Sequence, residues 1–169
     1  MTRSENNGSV PTAAALRKLV FGSPSGFLAF GFGSGLSPFA PGTMGTLAAV
    51  PFIFALKALG GLGFWVALVL LFLLGVYLCG RVSQKLGVHD HGVIVWDEMV
   101  GYWISAAFVP LQWHWLLAAF LLFRFFDILK PWPIRQLDKK MGGGFGIMID
   151  DVVAAIFTVL ILAVFQSFW

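Results

Sequence analysis

An uninterrupted apolar run in the middle of the chain leaves this protein few ways to fold. Residues 65–78 read WVALVLLFLLGVYL and contain no charged residue. With their flanks they predict a helix over residues 62–80. Its length is close to the about 20 apolar residues that a helix needs to cross a bilayer. Only 11% of all residues are charged and 59% are hydrophobic, whereas soluble domains carry about 25% charged residues. The chain is therefore predicted to be an integral membrane protein.

Further apolar segments predict spanning helices at 46–59, 93–111, 113–129 and 152–168. Residues 22–45 are also apolar, but their many Gly and Pro residues are incompatible with one regular helix. Such backbone is tolerated at membrane depth only where protein covers it or where it lines a wet cavity. The predicted fold is an all-α integral membrane protein: a compact bundle of about five transmembrane helices with a Pro/Gly-rich irregular or re-entrant N-terminal segment. Residues 1–21 are assigned to a cytoplasmic N-terminal tail and 22–169 to a single membrane-embedded domain.

Basic residues fall in alternate connections between the predicted spans, which sets the orientation. They are Arg17, Lys18, Arg81, Lys85, Lys130, Arg135, Lys139 and Lys140. The positive-inside rule places these connections in the cytoplasm and the C-terminus outside. The net charge of +3 is small and dispersed, so no nucleic-acid partner is expected. The single cysteine, Cys79, excludes an internal disulfide and a Cys-rich metal site.

In this orientation, five carboxylates from three predicted helices converge near the cytoplasmic face. They are Asp97, Glu98, Asp127, Asp150 and Asp151. A charged group at the bilayer centre costs at least ~2.5 kcal/mol, so acids inside a membrane segment indicate function. Crowded anions persist only beside positive charge, from a divalent cation or from residues such as Arg124 and Lys130. Oxygen ligands without cysteine favour Mg²⁺ or Mn²⁺.

Two glycine-rich segments predict places where a phosphate group can bind. Gly42 to Gly45 opens a predicted helix, whose free N–H groups and dipole attract anions. Gly142 to Gly146 could form a second concave arrangement of N–H groups before the last acid pair. Together with the carboxylates, these features predict metal-assisted chemistry on a phosphorylated substrate at the cytoplasmic membrane surface.

Four sequence blocks resemble the bacterial phosphatidylglycerophosphatase A family. They are GLSPFAPGTMGTLAAVP (35–51), IVWDEMVGYW (94–103), FRFFDILKPWPIRQLD (123–138) and GGGFGIMIDDVVAA (142–155). The resemblance covers roughly residues 22 to 165 and keeps the order of the blocks. It implies a Mg²⁺-dependent enzyme that converts phosphatidylglycerophosphate to phosphatidylglycerol and phosphate. It also implies a multi-pass protein of the bacterial inner membrane, with its active site facing the cytoplasm and a membrane phospholipid as substrate.

The resemblance matches acids, basic residues and Thr43 of this chain to the family's motifs, and the roles assigned to them here, like the inclusion of Arg124, are our inference from the residues. Asp97, Glu98, Asp127, Asp150 and Asp151 are predicted metal ligands, and Thr43, Arg124, Lys130 and Arg135 are predicted substrate-binding residues. Asp97, Glu98 and Asp151 are predicted to be catalytic, with Glu98 as general base. A covalent phospho-enzyme through an Asp or Thr43 is the alternative mechanism. The metal count and the oligomeric state stay open.

Other readings of the same residues compete with this one. Clustered intramembrane acids also mark ion paths, so a membrane transporter or channel is the alternative function. Arg124 and Asp127 could form a structural i,i+3 ion pair, and Lys130 and Arg135 could serve only as topology signals. Thr43 could simply cap its helix.

Overall fold

A computed structural model of the chain describes residues 12–88, 91–132, 134, 136 and 141–168. These residues form helices and contain no β-strand. The principal elements are α1 (Ala13–Phe21), α2 (Pro24–Ala29), a 3-10 segment (Gly31–Leu36), α3 (Pro41–Ala58), α4 (Gly60–Leu86), α5 (Trp96–Ser105), α6 (Trp113–Leu129) and α7 (Gly143–Gln166). The all-α prediction is confirmed.

Three of the described helices are long and apolar enough to cross a membrane. They are α3, with 18 residues, α4, with 27, and α7, with 24. The prediction of about five transmembrane helices is therefore not confirmed. Helix α6 has 17 residues, one turn or so short of the usual span, and α5 has only 10, which gives a length of about 15 Å.

The helix within the predicted span 93–111 is short because it ends at Ser105, after which the chain continues without regular structure. Ala106 and Val109 are nevertheless buried, with exposures of 0% and 2%. Two side chains from distant helices satisfy carbonyl groups of this segment. Lys57 donates to the Val109 carbonyl and Gln166 donates to that of Phe108. Irregular backbone in an apolar environment requires such partners.

The Pro/Gly-rich N-terminal segment is irregular, as expected, but helix α3 begins at Pro41, five residues before the predicted start of the first span. The break before α3 is sharp because Ala40 adopts a left-handed conformation, with φ of 43°. Residues 12–21 of the predicted tail include helix α1, whose Val20 is fully buried. Residues 1–11 of that tail lie outside the described residues.

Short helix α5 lies at the centre of the bundle, where it contacts α3, α4, α6 and α7. Two indole N–H groups fix its position: Trp96 donates to the Leu71 carbonyl of α4 at 3.1 Å, and Trp103 donates to the Ala49 carbonyl of α3 at 2.9 Å. Gly101 allows close packing, because a Cβ there would meet the ring of Phe123 at 2.5 Å. The first turn of α5 is thereby held between the other helices.

Candidate active site

A polar cavity of about 320 Å³ lies where α3, α5 and α7 begin and α6 ends. Its lining comprises Ala40, Pro41, Gly42, Gly92, Ile94, Asp97, Glu98, Arg124, Asp127, Ile128, Lys130, Asp150 and Asp151. All five predicted acids therefore surround one space, together with Arg124 and Lys130. The predicted convergence of these residues is confirmed.

Three of the acids approach each other most closely. Asp97 and Glu98 lie in the first turn of α5, where the helix dipole favours negative charge. Asp151 faces them from α7, and one carboxylate oxygen from each of the three residues lies within 4.8 Å of the others. Opposite ligands of one Mg²⁺, each at about 2.1 Å, are separated by about 4 Å. This triad therefore has nearly the spacing of a magnesium site.

Two basic residues hold the outer acids of the cavity. Arg124 lies between two helices: its Nη1 atom is 2.5 Å from Oδ2 of Asp127 and 3.7 Å from Oε1 of Glu98. The Nζ atom of Lys130 is 2.6 Å from Oδ2 of Asp150. Each cation offsets part of the negative charge around it and also places positive charge at the cavity, where an anionic group can bind.

The charge balance of the lining favours a bound cation. Five carboxylates face two basic side chains, which leaves a formal excess of three negative charges among the described lining residues. Oδ2 of Asp151 and Oε2 of Glu98 are buried and have no hydrogen-bond partner in the described part of the chain. A buried anionic oxygen without a partner is costly. A hard divalent cation such as Mg²⁺ would satisfy both oxygens, so these residues fit the predicted metal.

The start of α3 closes the cavity on the side of Glu98. A Cβ added at Gly42 would collide with Oε1 of Glu98 and would lie 3.0 and 3.1 Å from the two terminal nitrogens of Arg124. Only a glycine leaves room there for the carboxylate and the guanidinium. Thr43, the next residue, is half-buried and is not among the residues that line the cavity. Arg135 lies outside the described residues.

Sequence reasoning missed several residues of the lining. Gly42 was expected to offer N–H groups to a phosphate, but its lack of a side chain also sets the distance between α3, α5 and α6. Gly92 and Ile128 also line the cavity, and no sequence pattern singled them out. The bridge from Arg124 to Glu98 was also missed, since it joins helices whose packing the sequence does not display.

Comparison with known proteins identifies relatives over most of the chain. The family model described as Phosphatidylglycerophosphatase A matches residues 27–166. Phosphatidylglycerophosphatase A of Haemophilus influenzae is 53% identical over 156 residues, which cover 91% of this chain and 95% of that protein. The protein of the same name from Escherichia coli K12 is 46% identical over 156 residues, or 92% and 91% of the two chains.

A third relative carries a different name. A putative phosphatidylinositol-3-phosphatase of Bacteroides thetaiotaomicron is 42% identical over 142 residues, or 79% of this chain and 88% of its own. No solved structure matches the chain significantly.

Proposed function

The chain belongs to the phosphatidylglycerophosphatase A family, and on that basis we propose that it hydrolyses phosphatidylglycerophosphate to phosphatidylglycerol and phosphate. The observation that carries the proposal is the single cavity lined by five carboxylates, Arg124 and Lys130. This set combines ligands for a divalent cation with basic groups for a phosphate. We infer that the reaction takes place at the cytoplasmic face of the bacterial inner membrane, because the positive-inside rule favours a cytoplasmic position for the basic connections at this end of the bundle.

Mg²⁺ is the proposed cofactor, held by Asp97, Glu98 and Asp151, with Asp127 and Asp150 adjacent. When bound, it supplies positive charge that polarises the phosphoryl oxygens. The basic residues have a separate task. Arg124 and Lys130 bind the terminal phosphate, and Asp127 and Asp150 hold their charged ends toward the cavity. Thr43 and Arg135 are proposed to add contacts to the substrate head group.

Hydrolysis forms a bond between the oxygen of a water molecule and phosphorus and breaks the bond from phosphorus to the glycerol oxygen. Glu98 is the proposed general base that accepts the proton of the water through the carboxylate oxygen that does not hold the cation, because its carboxylate lines the same cavity as the basic residues that bind the phosphate. Glu98 gives this proton to the glycerol oxygen as its bond to phosphorus breaks. The transfer returns Glu98 to its carboxylate form and balances the step.

The transporter alternative lacks support from the polar residues deeper in the bundle. The buried polar side chains outside the acid cluster, within the described residues, are Thr46, Ser83, Ser105 and Thr158. Thr46, Ser105 and Thr158 each donate to a carbonyl one turn earlier in their own helix. These bonds are local to one helix, whereas an ion path needs polar groups that face a shared channel.

Phosphate release from phosphatidylglycerophosphate by the purified protein in detergent tests the proposal. Release is expected with Mg²⁺, and it should stop with a chelator. Asp97→Asn should abolish release while the protein stays folded. Glu5→Gln is the matched control, because Glu5 lies outside the matched residues 27–166. Absence of release by the wild-type protein with any divalent cation would overturn the proposal.

A further inference from the structure

A second cavity, of about 520 Å³, lies between α3 and α6 and is almost entirely apolar. Leu47, Val50 and Phe54 of α3 form one wall, and Leu117 and Phe120 of α6 form the other. Tyr102 of α5 forms the floor. Leu111, Trp113 and Leu116 complete the lining, and these nine residues define what we call the apolar groove.

The apolar groove lies about one helical turn from the polar cavity on both α3 and α6. On α3, Thr43, Leu47, Val50 and Phe54 are spaced as i, i+4, i+7 and i+11, so they share one helix face. On α6, Phe120 lies one turn before Arg124 on a common face. Thr43 and Arg124 therefore stand at the head of the two walls, and Arg124 also lines the polar cavity.

The distance from Thr43 to the far end of the apolar groove is close to the thickness of one leaflet. Eleven residues separate Thr43 from Phe54, which corresponds to about 17 Å along the axis of α3, and eleven also separate Arg124 from Trp113 on α6. Half of a hydrocarbon core about 30 Å thick is about 15 Å. A chain that started at the polar cavity and followed the groove would therefore have about one leaflet's thickness of apolar wall beside it.

The walls and the floor of the groove differ in exposure. Leu47 is 52% exposed and Leu117 is 46% exposed, whereas Tyr102 is fully buried. The Tyr102 hydroxyl donates to the carbonyl of Leu116, which also lines the groove. The groove is thus open toward lipid along its side and closed by protein at its back.

We propose that the apolar groove holds an acyl chain of the phospholipid substrate, with the glycerol backbone between Thr43 and Arg124 and the terminal phosphate in the polar cavity. The inference rests on the proposed function, since it names how the lipid part of that substrate is bound. The substrate enters sideways from the inner leaflet through the gap between α3 and α6. Its head group then reaches the acids without the chain leaving the apolar phase, which would cost free energy in proportion to the exposed apolar area.

Substitutions that fill the apolar groove with a larger side chain test this inference. Leu47→Trp and Leu117→Trp place a large side chain in the groove at positions that are partly exposed, so packing of the core is spared. Leu70→Trp is the matched control, because Leu70 is 60% exposed on α4 and does not line the groove. Each variant is assayed on dioleoyl and dihexanoyl phosphatidylglycerophosphate.

The expected result is a fall of about tenfold in the ratio of kcat/KM for the long-chain substrate to that for the short-chain substrate in both groove variants. The control should keep the wild-type ratio. An unchanged ratio in both groove variants would overturn the inference, as would an equal fall in the control.

A second measurement does not depend on hydrolysis. Long-chain phosphatidic acid with a diazirine on its acyl chain is cross-linked to the wild-type protein, and the labelled peptides are mapped. Labels are expected on the groove residues of α3 and α6, and excess unlabelled phosphatidic acid should displace them while phosphatidylcholine should not. Equal displacement by both lipids would indicate annular lipid contact only and would overturn the inference. If the wild-type protein releases no phosphate, the proposed function fails, yet this labelling pattern still tests the groove.

Discussion

Replacing Gly42 by alanine would place a methyl group between the Glu98 carboxylate and the Arg124 guanidinium. The new carbon would lie 3.0 and 3.1 Å from two nitrogens of Arg124 and would overlap with Oε1 of Glu98. Both obstacles are the far ends of flexible side chains. They can move, so the fold should survive, and alanine even favours a helix over glycine by about 1 kcal/mol.

The loss of activity follows from the size of that movement. Relief of the overlap requires the Glu98 carboxylate to shift by about 1 Å, and a misplacement of this size can cost about 100-fold in rate. We therefore expect kcat/KM to fall by about 100-fold, or about 2.7 kcal/mol of transition-state stabilisation. Stability should stay near the wild-type value or rise slightly.

Gly61→Ala provides the matched control. In the described part of the chain, no heavy atom outside its immediate neighbourhood lies within 4 Å of a Cβ built on Gly61, which lies in the first turn of α4. Both variants are compared by thermal unfolding and by phosphate release at saturating Mg²⁺. If Gly42→Ala has the same kcat/KM as Gly61→Ala, the predicted loss of activity is wrong. A Gly42→Ala protein that unfolds far more easily than the control would also refute the reasoning.

Three further substitutions probe the cavity and its support. Arg124→Lys should lower kcat/KM by about tenfold or more, because lysine replaces the planar guanidinium, which can bind two phosphate oxygens at once, with a point charge on a shorter side chain. Steady-state rates measure this loss. Lys130→Met should raise KM by about tenfold, because a charged contact to phosphate is lost. Lys130→Arg keeps the positive charge and should have a KM close to that of the wild type. Equal KM values for the two variants would contradict this role. Trp103→Phe removes the hydrogen bond that its indole donates to α3 and should cost about 1 kcal/mol in thermal unfolding, whereas Trp65→Phe, at a position 41% exposed, should cost less.

More of the candidate site than of the fold could be predicted from the sequence. Acids are rare in apolar helices, so Asp97, Glu98, Asp127, Asp150 and Asp151 stood out, and the alternation of basic connections placed them at one end of the bundle. The structure brings them around one cavity. Their individual roles stay predictions, since the positions of the side chains are compatible with more than one division of labour.

The number of crossings could not be read from hydropathy. The segment after Ser105 is as apolar as a membrane-spanning helix, but it is irregular. Its carbonyl groups accept hydrogen bonds from Lys57 and Gln166, which lie in distant parts of the sequence. A window of neighbouring residues contains no sign of such partners. The predicted end of the helix was therefore too late.

The glycines before the last acid pair show a similar limit. Gly142 to Gly146 were expected to form a concave set of N–H groups, but α7 already begins at Gly143. A Cβ on Gly144 would collide with the Val76 carbonyl of α4. This glycine therefore serves the close approach of two helices, and packing of this kind depends on a partner that lies far away in the sequence.

We propose that the triad of Asp97, Glu98 and Asp151 holds a divalent cation beside the lipid phosphate. Electron-nuclear double resonance can test this on Mn²⁺ bound in place of Mg²⁺, with a non-hydrolysable phosphonate analogue of the substrate present. We expect a phosphorus coupling to the bound Mn²⁺ in the wild-type protein. In folded Asp151→Asn, we expect both this coupling and the Mn²⁺ affinity to be lost. Mn²⁺ that binds equally well to both proteins, or that shows no phosphorus coupling in the wild type, would mean that the triad does not hold a cation beside the phosphate.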